Sequence, residues 1–165
     1  DYSFMWPAKK PFSVQIKKQG FFIKAENFDY SSTKSFTSLN QNFIMQTVEP
    51  NKSYSLANIS FDQGKSELKQ GFEIELDKVV QILLENASYS ILLEGHTDNQ
   101  GDWNDNLKLS IERVDNVKAY LTAKGIDSSR IKTKGWGGAK PIANNLLEDT
   151  RRVNRRVEFT LISME

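Results

Sequence analysis

Two stretches of helical apolar spacing on either side of one compact apolar strand constrain this chain most. Phe72, Leu76, Val79, Val80, Leu83 and Leu84 share one face over several turns. Leu107, Ile111, Val114, Val117 and Leu121 do the same further on, and Lys124-Gly125 supplies a stop signal. Between them runs YSILLEG, while LANISF precedes the first stretch and RIKTKGW and RRVEFTLI follow the second, all with strand character. The order is therefore β-α-β-α-β-β. Each helix has a single apolar stripe to bury, so the predicted fold class is α/β (α+β), with both helices on one face of a mixed sheet.

The chain ahead of this is of another kind. To about Lys52 it is rich in aromatic and β-branched residues and in serine turns. SVQIKK alternates Val14 and Ile16 with polar neighbours, FFIKA and NFIMQTV read as further short strands, and KKQG with Gly20 suits a hairpin turn. The expected division is a β-rich segment over 1–52, forming part of a β-sandwich, and a second domain over 53–165.

Composition narrows the function. In 165 residues, 38% hydrophobic content supplies a core, and 26% charged content is ordinary for a folded domain. A net charge of +1 argues against a dedicated nucleic-acid binder. The lack of cysteine removes disulfides, thiolate zinc sites and cysteine nucleophiles. No apolar run approaches the ~20 residues that span a bilayer. The opening DYSFMWPAKKPF lacks a signal-peptide pattern and reads as a fragment of a longer precursor.

The chemistry concentrates in EGHTDNQGDWNDNLKLSIERV, Glu94 to Val114, which holds the single histidine. Zinc wants three or four His or Cys ligands, and the chain offers one. An EF-hand aligned at Asp98 puts Trp103 at the turn glycine and Leu109 at the bidentate Glu. A Ser-His-Asp triad lacks the G-x-S-x-G elbow. No metal, cofactor or catalytic set is expected, and His96 reads as a partly buried histidine at a strand end, donating to a backbone carbonyl. GWGG, Gly135 to Gly138, has no third glycine for a nucleotide loop and reads as a turn needing backbone freedom. RRVNRR enters a strand, whose neighbours point to opposite faces, so a solvated rim with one inward-reaching arginine is expected.

Asp98 and Arg113 remain. Asp98 lies in a loop just beyond a strand, and Arg113 about one turn into a helix starting near Leu109-Ser110. A fixed anion beside a fixed cation suits a zwitterion: carboxylate for its ammonium, guanidinium fork for its carboxylate. A structural Asp98–Arg113 salt bridge is the competing reading on spacing alone.

From about Leu56 to Ile162 the chain closely resembles the OmpA-like domain, which also occurs in Pal lipoproteins and MotB stator proteins. The matching pieces are NISFD at 58–62, EGHTDNQG at 94–101, N-x-x-LS-x-x-R at 106–113, KGI at 124–126, P-x-x-x-N at 141–145 and R-x-x-NRRVE at 151–158. Six motifs in order make a strong signal. The resemblance implies non-enzymatic, non-covalent binding of peptidoglycan through the diaminopimelate end of the stem peptide. Asp98 then takes the ammonium and Arg113 the carboxylate. Thr97, Asn106 and Arg155 fall at supporting polar contacts, Asp62 and Gly64 where backbone groups face the ligand, and Leu109 at an apolar wall.

Periplasmic residence and outer-membrane association follow from the same resemblance, any membrane attachment lying in parts of the parent protein beyond this sequence. The sequence departs from the family pattern at Gly64, Val114, Trp136, Gly138 and Thr150, which bears on the width of the pocket. The N-terminal GFFIKAENF is similar to the end of a carboxypeptidase-regulatory-like β-sandwich found in some cell-envelope proteins. The alternative function is a protein–protein interaction module of an outer-membrane or periplasmic complex, docking through that N-terminal segment.

Overall fold

The YSILLEG run forms a central strand, flanked on both sides in a four-stranded sheet. A computed structural model describes residues 10–18, 20–22, 24–32, 40–56 and 61–163. The chain divides into two compact units, Asp1–Val48 and Glu49–Glu165.

In the first unit, β1 (Phe12–Ile16) and β2 (Lys24–Phe28) form an antiparallel pair in which Phe12 lies opposite Phe28 and Ile16 opposite Lys24. Their alternation half-buries Phe12, Val14 and Ile16 on one side, and Phe12 stacks on Phe28 at 5.2 Å between centroids. NFIMQTV does not form the expected strand. Among the described residues an isolated Phe21–Thr47 bridge ties it to the chain near Gly20, and Ile44 is exposed.

The second unit runs β3 (Ser53–Ser55), α1 (Phe72–Glu85), β4 (Tyr89–Gly95), α2 (Trp103–Ala123), a 3₁₀ turn, β5 (Ile131–Gly135), α3 (Glu148–Asn154) and β6 (Val157–Ser163). The sheet order is β3-β6-β4-β5. It is mixed: β4 and β5 are parallel across the α2 crossover, and the other pairs are antiparallel. Ile91, Leu93 and Gly95 of β4 lie opposite Leu161, Phe159 and Val157 of β6, and all six are buried on one face. A strand forms at SYS, just ahead of the expected LANISF. Leu56 still donates its amide to Val157, and residues 57–60 lie outside the described residues.

α1 buries Leu76, Val79, Val80, Ile82 and Leu83. Leu84, predicted on that stripe, is exposed, as is much of Ile111 on α2. α1 and α2 meet through Phe72 edge-on to Tyr120 at 5.0 Å, and Tyr120 Oη donates to Asp77 at 2.7 Å. α2 starts earlier than predicted. Asp102 caps it, its Oδ1 accepting from the amides of Asn104 (2.8 Å) and Asp105 (3.2 Å), so Arg113 lies near the middle of a 21-residue helix rather than in its second turn. α3 was not foreseen, because its seven residues carry no apolar stripe.

Candidate functional site

The site forms where α2 crosses the end of β4. Gly95 permits that crossing, since a Cβ there would overlap the Ser110 carbonyl and the Val114 side chain. Past Gly95 the chain continues through buried His96, Thr97 and Asp98 before turning outward. The turn after β5 clamps this segment: Thr97 donates its amide to Gly137 at 2.9 Å, and the Gly137 amide bonds Ser110 Oγ at 3.0 Å. The GWGG turn is thus a structural clamp. Gly137, at φ +53°, lies so close to the α2 backbone at Leu107 that a side chain would crowd it.

Arg113 is fully buried, with its guanidinium held by three backbone carbonyls. Nε donates to Lys65 (3.0 Å), Nη1 to His96 (3.1 Å) and Nη2 to Asp62 (3.3 Å). Beside it lies the Phe61 ring, 4.6 Å from Cζ to centroid. A guanidinium has five N–H donors, so three bonds leave one free donor on each terminal nitrogen. Burial, and next the charge of Arg155, lower its pKa to about 10 against the pull of Asp98, and it remains a cation at neutral pH.

Asp98 is 4% exposed. Its Oδ1 accepts from the Gln100 amide at 3.1 Å and its Oδ2 from Arg155 Nη1 at 2.8 Å. The ion partner of Asp98 is therefore Arg155 and not Arg113, which removes the simple Asp98–Arg113 salt bridge. Arg155 in turn donates Nη2 to Glu148 at 2.6 Å. Burial opposes its charge, but the bonds to Glu148 and Asp98 prevail and raise its pKa, while Arg155 lowers that of Glu148.

These groups line a cleft of about 420 Å³. Of the residues singled out in the sequence, Gly64, Thr97, Asp98, Asn106, Leu109, Arg113 and Arg155 all border it. Asp62 does not. Its carboxylate goes to Lys69 at 2.6 Å, and its carbonyl serves Arg113 rather than facing the cleft. Thr97 Oγ1 donates to the Asp98 carbonyl, and Asn106 Nδ2 to the Gln100 carbonyl, so both brace the loop that carries Asp98. Sequence reasoning missed Phe61, Glu148 and the acidic α2 wall of Asp105 and Glu112. That wall was legible: Asp102 as cap with Asp105 three residues on signals a helix start, and it sets Asp105, Leu109 and Glu112 on one face.

His96 corrects another expectation. It is buried to 1% exposure, and neither ring nitrogen has a hydrogen-bond partner among the described residues, where it donates to no carbonyl. Its backbone instead accepts from Arg113 and donates to Arg156. Burial first, then the Arg156 charge, lower its pKa to about 4, against the pull of Glu158 and Glu94. In RRVNRR, Arg151 and Arg152 lie on α3, and two arginines reach inward rather than one: Arg155 to Asp98, and Arg156 Nε to Glu158 at 2.6 Å. Among the described residues, no group of three His, Asp or Glu side chains is placed to hold a metal.

Fold and cleft together define an α/β domain with a buried guanidinium and a buried carboxylate bordering a cleft at the end of a mixed sheet. The chain belongs to the OmpA family, whose model matches residues 60–155. It is 38% identical over 104 residues to the probable lipoprotein YiaD of Escherichia coli, covering 63% of this chain and 48% of that one. It is 30% identical over 125 residues to the peptidoglycan-associated lipoprotein of Buchnera aphidicola, covering 76% and 71%. The crystal structure of the peptidoglycan-associated lipoprotein from Burkholderia pseudomallei superimposes with a TM-score of 0.60 at 25% identity, over 62% of this chain and 87% of that one. The chain thus spans about half of YiaD, and 29% of the Acinetobacter baumannii outer membrane protein Omp38.

Proposed function

We propose that this domain holds a cell-envelope protein to the cell wall by binding, without covalent chemistry, the free amino-acid end of diaminopimelate in a peptidoglycan stem peptide. The observation that carries the reading is the fork left on Arg113. One free N–H on each terminal nitrogen, on a guanidinium held by three carbonyls and Phe61 at the edge of the cleft, leaves donors for a ligand carboxylate. Asp98 borders the same cleft and offers the opposite charge to an ammonium, with Leu109 beside them for the methylene chain.

Support also comes from the relatives. Two of them are named for association with peptidoglycan, and the chain shares their family and fold. Residence in the periplasm with outer-membrane association belongs to this proposal, as does the absence of enzymatic activity.

Each charge-assisted contact contributes about 1.5–3 kcal/mol. Two of them give about 3–6 kcal/mol, which even before the entropy of association corresponds to no tighter than roughly tens of micromolar, so a single site is weak. A polymer presenting many copies makes such a site sufficient, because rebinding raises the effective concentration. The test is cosedimentation with purified sacculi. Asp98→Ala and Arg113→Lys, each shown to be folded by its melting transition, should stay in the supernatant where the wild type pellets. Wild-type retention by both variants ends this reading.

A further inference from the structure

The carboxylate assigned to the ligand ammonium is already occupied. Asp98 spends Oδ2 on Arg155 Nη1 and Oδ1 on the Gln100 amide, and is 4% exposed. Arg155 is anchored from outside the cleft by Glu148, and its Nε is buried with no hydrogen-bond partner among the described residues. Resting on the wall-binding reading above, we propose that ligand capture is an ion-pair exchange in which Arg155 sets specificity: the ligand ammonium displaces Arg155 from Asp98, and the ligand carboxylate takes up the displaced guanidinium together with Arg113.

Charge balance gives the exchange its selectivity. Of the charges shielded from solvent in the cleft, Asp98 faces Arg113 and the half-buried Arg155, one excess positive charge, while Asp102, Asp105, Lys108 and Glu112 on the α2 side are exposed and screened by water. Glu148, which balances Arg155 from outside, is more than half exposed and screened by water. A ligand with an ammonium alone brings a third cation to a buried carboxylate that Arg155 already covers, and reaches it by displacing that contact without replacing it. A ligand with a carboxylate alone meets the free donors of Arg113 and the unpartnered Nε of Arg155, and breaks nothing. The zwitterion does both: each charge it separates is paired again. Removing a partner from a buried ion is the costly step, and only the two-charged ligand avoids it. A simple two-point grip by Asp98 and Arg113 predicts equal losses for the two one-charged ligands, whereas exchange predicts unequal ones.

Calorimetric titration of the whole chain with three synthetic stem tripeptides separates these cases. One ends in unmodified diaminopimelate, one has its terminal amine acetylated, and one has its terminal carboxylate converted to the amide. Against wild type, the amide should bind at least about a hundredfold more weakly than the parent, and the acetylated peptide about tenfold or less. In Arg155→Gln the amide should regain affinity and the acetylated peptide lose it, so that the order narrows or reverses.

Glu148→Gln touches no ligand group but loosens Arg155, and should shift the ratio the same way by less. It decides the matter if Arg155→Gln does not fold. Equal losses for both modified peptides on wild type, or a uniform loss for all three in Arg155→Gln and Glu148→Gln, would show Arg155 to be only a strut. That result leaves the wall-binding reading standing. Failure of the unmodified peptide to bind wild type defeats both.

Discussion

Arg113 and Phe61 form a buried pair, the guanidinium carbon 4.6 Å from the ring centroid. The ring replaces water on one side of a cation whose edges are held by the carbonyls of Asp62, Lys65 and His96. Arg113 therefore ties the loop before α1 to the end of β4. Arg113→Lys keeps the charge but can satisfy these carbonyls in only one direction at a time. Thermal melts should show a loss of about 2–4 kcal/mol, since acceptors are left buried and unpaired. A Lys variant that melts like wild type would show that the carbonyls find other donors.

Phe61→Leu tests the ring separately. It is 4% exposed, and the change removes the aromatic face while keeping a large apolar side chain. Stability should fall by about 1–2 kcal/mol. Peptide affinity should fall as well, because the plane of the fork is no longer fixed. Unchanged affinity in the calorimeter, alongside the expected loss of stability, would assign the plane to the carbonyls alone.

Much of this frame was legible in the sequence, for physical reasons. β4, β5, β6, α1 and the body of α2 each bury one face, and burial imposes a period that can be read residue by residue. Where no stripe is buried the signal fails. The first turn of α2, Trp103 to Asn106, buries no apolar residue, so only its Asp102 cap marks the start. α3 exposes Val153 and half-exposes or exposes its arginines, so nothing periodic marked it. Asp98 and Arg113 were legible through their motif, but the Asp98–Arg155 pair joins residues 57 apart, and no local pattern announces such a partner.

His96 should make the domain sensitive to acid. Its folded pKa is near 4, whereas an unfolded chain takes up the proton near 6.5. Between these values the unfolded state binds more protons, so stability is full above about pH 6.5 and is lost as pH falls towards 4. The gap corresponds to at most about 3 kcal/mol. Arg156 and Lys140 deepen the loss, and Glu158 and Glu94 moderate it. His96→Leu removes the titration. Its denaturation free energy should vary less between pH 6.5 and 4.5 than that of wild type, and equal slopes would place the acid sensitivity elsewhere.

Gly95→Ala should be costly despite adding one methyl. The new Cβ meets the Ser110 carbonyl, a backbone atom that cannot rotate away, as well as the Val114 side chain. α2 would have to lift from β4, carrying Arg113 with it. Overpacking of this kind costs about 1–3 kcal/mol or more. The distinguishing readout is affinity measured on the fraction that remains folded, which should fall because Arg113 moves relative to Asp98. Normal affinity would mean that the helix shifts without tilting the fork.

Asn154 holds the approach to Arg155 from within the fold. It is fully buried, and its Oδ1 accepts from the amides of Ile142 and Ala143, each at 2.9 Å. Its Nδ2 donates to the Ala143 carbonyl and to Asn145 Oδ1, also at 2.9 Å. The next residue is the arginine that sits on Asp98, so this one amide fixes both the loop before α3 and the start of the guanidinium that crosses the cleft. Asn154→Asp retains the two accepted bonds and loses the two donated ones. It also places an unpaired carboxylate beside the acceptors of Ala143 and Asn145, so it should destabilise by about 2–4 kcal/mol. Hydrogen exchange at the amides of Ile142 and Ala143 locates the effect. Faster exchange there than at β4 amides such as Leu93 shows local opening of the loop, whereas uniform acceleration would show that Asn154 supports the whole domain rather than the position of Arg155.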